Sequence, residues 1–240
     1  MQKFSKIQKK QFDDFFWNRS IESEIEKGFY KKTRKYLKFI AWIPWLKMVW
    51  IGNSISMNSA SKKSDIDLLI VSTNNSMWLV RILVTAIFQV LWVRKTAKKH
   101  AERFCLSFFC TLDGLSFEQF ALDNDPYLFF WIIYFKPILN YDNTYNLFLE
   151  KNKAWADFRE YGDIFEKNKK YIKYSHNIVN RISSEIFFII FLNNIFKKVF
   201  LPKTLTHYKR IWKPFWVLIH KNVLKFHNGD VRKKISKLIL

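Results

Sequence analysis

Asp65 and Asp67, two aspartates separated by one residue, are the residues of this sequence best suited to metal chemistry. They flank the start of an apolar run, residues 66–71, that predicts a β-strand. Because successive side chains of a strand point to opposite faces, the two carboxylates are expected to share one face. Adjacent carboxylates repel each other unless a cation lies between them. An all-oxygen pair suits Mg²⁺, which completes its shell with water and substrate phosphates.

A small polar turn lies upstream of the aspartates. Residues 48–51 are apolar and predict a strand, which stops at Gly52, Asn53 and Ser54. A strand, a small-residue turn with serine, about a dozen residues and then Asp-hydrophobic-Asp resembles the DNA polymerase β-type nucleotidyltransferase superfamily. The resemblance covers roughly residues 46–72. It implies that the turn opens a helix and holds nucleotide phosphates, and that Asp65 and Asp67 bind the metal ions.

The motif glycine and serine can be assigned in two registers. If Ser54 is the motif serine, the motif glycine falls on Asn53, and Gly52 lies one position early. In the other register Gly52 is the motif glycine and Asn53 takes the serine position. Asparagine is the non-glycine residue that best tolerates positive φ, so the first register is compatible with the turn.

The third carboxylate of the superfamily has no obvious counterpart here. It would be expected on the next strand, residues 104–111, which carries no acidic residue and has Ser107 near its middle. Asp113 follows that strand and is the nearest candidate, although Asp113-Gly114 also has the composition of a simple turn. A one-metal enzyme and a catalytically degenerate domain therefore both remain open.

The bulk composition indicates a folded protein with an acidic partner. The 240 residues are 49% hydrophobic and 19% aromatic, which argues against disorder. The net charge of +21 favours nucleic acid, an anionic membrane face or polyphosphate as a partner, although biased base composition would also enrich lysine.

The setting that the sequence favours is cytoplasmic. Cys105 and Cys110 are five positions apart in one predicted strand and cannot pair with each other. The N-terminal residues lack the apolar segment of a signal peptide. Residues 77–93 are the best candidate for a membrane span but contain Arg81 and Gln89, and they fit a buried crossover helix better.

The predicted fold class is α/β (α+β by some conventions): a small mixed sheet of three to five strands backed by helices, with a helical basic C-terminal extension. The expected organisation is N-terminal helices over residues 1–45, a nucleotidyltransferase-like domain over 46–162 and a helical basic region over 163–240. Helices are expected at 3–17, 21–42, 77–93, 126–135, 144–161 and 177–199, with Ser20, Ser76 and Asp125 as N-caps and Gly162 as a C-cap. Residues 137–140 are expected to form a short edge strand.

The C-terminal region interleaves basic and aromatic residues. The residues proposed to contact a partner are Lys209, Arg210, Trp212, Lys213, Trp216, Lys221 and Lys225. Such a pattern suits nucleic acid, whose bases stack on the rings, or an anionic membrane surface. An ordinary amphipathic helix that packs its aromatic residues on the domain has the same pattern.

The function predicted from these features is transfer of a nucleoside monophosphate from an NTP to an acceptor that the sequence does not identify. The alternatives are a degenerate domain that binds nucleic acid and a peripheral membrane protein, both acting through the C-terminal region.

Overall fold

A six-stranded mixed sheet forms the centre of the protein in the computed structural model, which describes residues 1–176, 186–210, 217–226 and 232–239. The strands are β1 (Leu46–Ile51), β2 (Ile66–Ser72), β3 (Phe104–Thr111), β4 (Lys136–Asn140), β5 (Leu218–Ile219) and β6 (Val223–Lys225). Their order across the sheet is β4-β1-β2-β3-β6-β5. Strands β2 and β3 run parallel, and the other neighbouring pairs are antiparallel. The predicted α/β class with a mixed sheet is therefore confirmed, with one strand more than expected.

Helices cover both faces of this sheet. In the described residues they are α1 (Lys6–Phe16), α2 (Glu24–Leu37), α3 (Asn53–Ser56), α4 (Met77–Val90), α5 (Pro126–Tyr134), α6 (Thr144–Asn152), α7 (Gly162–Lys169), α8 (Ile186–Arg210) and α9 (Arg232–Ile239). One face packs against α1, α5, α6, α7 and α9, and the other against α2, α4 and α8. No helix among these is long and apolar enough to cross a bilayer.

The first two helices begin at serine caps. Ser5 and Gln8 form a capping box, in which the Ser5 hydroxyl accepts from the backbone N–H of Gln8. Ser23 and Glu26 form the same kind of capping box. The predicted start of α2 at Ser20 was wrong because the carboxylate of Glu26 is fully buried and bonds the backbone N–H of Ser23. At α5 the prediction is confirmed: Asp125 caps the helix and Pro126 is its first residue.

The predicted helix over residues 144–161 ends early, at Asn152. The buried Asn152 side chain accepts from the backbone N–H of Phe117 at 2.8 Å and donates to the carbonyl of Leu115 at 2.8 Å. These bonds tie the end of α6 to the segment that follows β3. Gly162 was predicted to end this helix, but it is the first residue of α7.

The N-terminus of α4 is capped from another helix. Ser76 occupies the N-cap position, as predicted, but its side chain makes no capping bond to the helix. Instead, the buried Asn193 of α8 accepts from the backbone N–H groups of Trp78 at 2.9 Å and Leu79 at 3.3 Å. Unpaired amides of a first helical turn need such a partner when they are buried.

The C-terminal region is not wholly helical. Residues 218–225 form the hairpin of β5 and β6, and β6 continues the sheet beyond β3. The prediction of a helical extension was wrong for this segment, because strands of two and three residues are too short to give a periodic pattern. Of the helix predicted at 177–199, residues 177–185 lie outside the described part of the chain, and the remainder falls within α8.

Candidate metal and nucleotide site

The turn after β1 is shaped by a left-handed asparagine. Asn53, the first residue of α3, has φ of 55°, whereas Gly52 has φ of −117°. Gly52 is required for space instead: a Cβ there would lie 3.2 Å from Leu69 Cδ1 and 3.4 Å from Phe135 Cε1. The residue with positive φ is therefore Asn53, which agrees with the sequence argument that asparagine tolerates this conformation.

Asp65 and Asp67 lie beside this turn. Asp67 is the second residue of β2 and is 8% exposed, and its carbonyl accepts a 3.1 Å bond from the backbone N–H of Gly52. Asp65 immediately precedes the strand and is partly exposed. Their carboxylates belong to a group of three side chains whose ligand atoms all lie within 4.8 Å of one another. The two aspartates predicted from the sequence are therefore brought together.

Cys105 is the third member of this group, and the sequence argument missed it. It is the second residue of β3 and lies opposite Asp67 in the parallel pairing of β2 with β3. The signal that could have found it is positional. Aligning the first residues of two parallel strands places their second residues side by side, so a thiol was available next to Asp67.

Asp113 is not near the aspartates. Because β2 and β3 are parallel, Phe104 lies opposite Ile66 and Thr111 lies opposite Ser72, which puts Asp113 beyond the far end of the sheet. Its backbone N–H donates to Asn74 Oδ1 at 3.0 Å. Asp113 is therefore excluded as the third carboxylate.

Lys95 forms an ion pair with Asp65, one of the three side chains of the group. Its Nζ lies 2.6 Å from Asp65 Oδ2, and its side chain is 40% exposed. Burial alone would lower the pKa of Lys95, but the hydrogen bond to Asp65 and the neighbouring negative charges raise it. The ammonium therefore stays charged and pairs with a carboxylate that the sequence predicts as a metal ligand.

Cys105 is held as a neutral thiol when no metal is bound. Burial raises the pKa of this thiol strongly, and the charge of Asp67 raises it further. A metal ion would reverse this preference, because a coordinating thiol loses its proton.

Asp67 is oriented from behind by an amide. Asn53 Nδ2 donates to Asp67 Oδ2 at 2.7 Å, and Trp131 Nε1 donates to Asn53 Oδ1 at 2.8 Å. An indole nitrogen can only donate, so it requires the amide oxygen on its side and leaves the NH₂ group for the carboxylate. Outer partners of this kind fix the direction of a metal-binding carboxylate.

The basic residues predicted to meet a partner have mixed outcomes. Lys221 is exposed in the turn between β5 and β6, whereas Lys225 is 1% exposed, and its Nζ lies 5.5 Å from the ring centroid of Trp131. The prediction that Lys225 contacts nucleic acid was therefore wrong. Lys209 and Arg210 lie in the last turn of α8. Trp212, Lys213 and Trp216 lie outside the described residues.

Comparison of the chain with protein-family models, with curated proteins and with solved structures finds no significant match. Its function must therefore be argued from the site.

Proposed function

We propose that this chain is a metal-dependent nucleotidyltransferase that transfers a nucleoside monophosphate from an NTP to an acceptor hydroxyl. The observation that carries the proposal is the pair Asp65 and Asp67 at the start of β2, next to a turn of small residues that begins a helix. The proposal extends the nucleotidyltransferase resemblance to the fold. The reacting groups would lie at the end of the sheet where β1 ends and where β2 and β3 begin.

The turn and the aspartates have separate roles in this proposal. Backbone N–H groups of Gly52, Asn53 and Ser54, with the Ser54 hydroxyl, would bind the terminal phosphates of the NTP. Asp65 and Asp67 would hold Mg²⁺, for which two neighbouring carboxylates are suitable ligands. The metal supplies positive charge that offsets the charge developing on the leaving pyrophosphate.

The reaction is a displacement at the α-phosphorus. The acceptor oxygen forms a bond to that phosphorus, the bond to the bridging oxygen breaks, and pyrophosphate leaves with the electron pair while the hydroxyl proton passes to water. In the chain itself, Asn53 keeps Asp67 turned toward the site through the 2.7 Å bond. Lys95 would move from Asp65 to a phosphate oxygen, since both are anionic oxygens within reach of a flexible side chain.

Cys105 favours a second candidate, a domain that binds nucleotide without catalysis. A thiol stands where the superfamily resemblance leads one to expect a carboxylate, and no other acidic side chain among the described residues joins the group. A neutral thiol is a poor base at pH 7. Under this alternative NTP binding survives and transfer is absent.

Calorimetric titration with each of the four Mg-NTPs tests the proposal. We expect the wild type to bind at least one of them, and Asp65→Asn and Asp67→Asn to weaken that binding by at least about tenfold, because each removes a charge-assisted contact. Asp123→Asn, which neutralises an exposed aspartate in a loop, is the matched control and should stay within about twofold. A folded wild type that binds none of the four nucleotides would refute the nucleotidyltransferase proposal.

A further inference from the structure

A cavity of about 660 Å³ lies against the outer edge of β3, between α4 and α8. Residues 93–95 form backbone hydrogen bonds with Phe104 at that edge. Further along the same edge, from Ser107 onward, β3 is hydrogen-bonded by β6 and by Phe226, which follows β6. The cavity therefore lies beside the part of β3 between these two sets of hydrogen bonds. Its volume is in the range of pockets that bind small molecules.

The lining combines aromatic rings with positive charge. Trp78, Phe200 and Phe226 supply the rings, and Arg81, Arg94, Lys95 and Lys203 supply the charge. No carboxylate is present among the described lining residues. A pocket of this composition favours a flat ligand that carries negative charge.

Arg81 is the group that most needs a partner. Its guanidinium carbon lies 4.6 Å from the ring centroid of Phe226 and 5.1 Å from that of Trp78, so two rings contact the charge. Its Nη1 is buried and has no hydrogen-bond partner among the described residues. Burial, together with the charge of Arg94, lowers the pKa of Arg81 to about 10, which still leaves it protonated at pH 7. Arg81 lines the cavity together with Arg94, Lys95 and Lys203 and without a carboxylate among the described lining residues, so an anion in the cavity would offset its charge.

The cavity adjoins the candidate metal group on the side away from the nucleotide turn. Cys105 and Lys95 line the cavity and also belong to, or bond, that group. The turn at Gly52 follows β1, the aspartates open β2 and Cys105 opens β3, so the aspartates lie between the turn and the cavity. In a displacement at phosphorus, the attacking and leaving oxygens are roughly in line. The aspartates would therefore lie between a phosphate held at the turn and a nucleophile in the cavity.

We infer that this cavity binds a small organic anion, a carboxylate or a phosphate ester with a flat apolar part, through the guanidinium of Arg81. This inference rests on the proposed function, under which the same ligand also carries the hydroxyl that accepts the nucleoside monophosphate. The bidentate fork of arginine matches both anion types, so the structure defines the shared chemistry of the two.

Binding of three probes to the metal-free protein tests this inference, by NMR-detected titration with benzoate, phenyl phosphate and the uncharged benzamide. We expect at least one anion to bind, with benzamide weaker by about tenfold or more, because it lacks the charge that Arg81 pairs. Whichever anion binds more tightly identifies the acidic group of the natural ligand.

Arg81→Met should weaken binding of that anion by about tenfold or more, whereas Lys198→Met, which removes one exposed charge from α8, should change it by less than about twofold. Since Arg81→Met also loses ring contacts, Ala86→Trp serves as a second variant. Ala86 is exposed and lines the cavity, so a larger side chain there should reduce binding without loss of charge or folding.

Two results would overturn the inference: no probe binds to the wild type, or the anion binds equally well to the wild type, Arg81→Met and Ala86→Trp. Asp67→Asn separates this inference from the proposed function, because anion binding should persist in that variant when Mg-NTP binding is lost.

Discussion

Asn53 and Asp67 are joined by a 2.7 Å hydrogen bond from the side-chain amide to the carboxylate, which connects the turn after β1 to the start of β2. The same asparagine has a positive φ of 55° and accepts a bond from the buried indole of Trp131. One residue therefore shapes the turn and orients the acidic side chain.

Two substitutions at this position separate its roles. Asn53→Gly loses both side-chain bonds but keeps the left-handed backbone at little cost, whereas Asn53→Ala loses the bonds and adds strain. We expect Asn53→Ala to be less stable than Asn53→Gly by about 1 kcal/mol in urea unfolding. Equal stability of the two variants would show that the backbone at residue 53 is not held at positive φ. Both variants should bind divalent metal more weakly than the wild type, because Asp67 loses its orienting partner.

The local part of this site was predictable from the sequence, and the long-range part was not. The spacing of Asp65 and Asp67 at the start of an apolar run already implied a shared face, and the tolerance of asparagine for positive φ anticipated Asn53. Cys105 depends on how β3 aligns with β2, which is set by packing between distant segments. The hydrophobic pattern within residues 104–111 does not indicate which residue of β3 lies opposite which residue of β2.

In the C-terminal region, too, the burial of a charged residue was not predictable from the local sequence. Lys225 lies in a basic, aromatic stretch that predicts contact with a partner, yet it is buried beside Trp131. The strand β6 is only three residues long, and the edge of β3, not the local pattern, places it. The density of charged residues along the sequence therefore predicted that the region is basic. It did not predict which of the basic side chains are exposed to solvent.

Cys105 should be detectable as a metal ligand. Thiolate is a soft ligand that favours Cd²⁺ and Zn²⁺ over Mg²⁺. We expect the wild type to bind Cd²⁺ with a sulfur-to-metal absorption band in the near ultraviolet, and Cys105→Ser to lose that band. Cys110→Ser, at a buried position on the same strand outside the group, is the control and should retain it. A band that persists in Cys105→Ser would place the bound metal elsewhere.

Lys95 should compete with divalent metal for Asp65. Its ammonium lies 2.6 Å from the carboxylate and must give way when a cation binds. Removing it in Lys95→Met should tighten Mn²⁺ binding in the absence of nucleotide by about fivefold, equivalent to about 1 kcal/mol. Lys99→Met removes an exposed charge from the same connecting segment and controls for the general field. If both variants bind Mn²⁺ alike, the direct contact has no part in the effect.

Lys136 should make stability rise with pH. This side chain opens β4, is 8% exposed and donates to Asn168 Oδ1 at 2.7 Å. Burial is the main cause that lowers the pKa of Lys136 to about 8, well below its usual value. The unfolded chain therefore holds this proton to higher pH than the folded chain. Where the unfolded state binds more protons, the free energy of unfolding increases as pH rises.

The window for this effect runs from about pH 8 to about pH 10.4, the usual pKa of a lysine. Across it the wild type should gain up to about 3 kcal/mol relative to Lys136→Met, measured as the difference in free energy of urea unfolding at each pH. Lys62→Met, which removes an exposed lysine, should follow the wild type throughout. Parallel curves for the wild type and Lys136→Met would mean that Lys136 titrates like an exposed lysine, and hence that its ammonium reaches solvent in the folded protein.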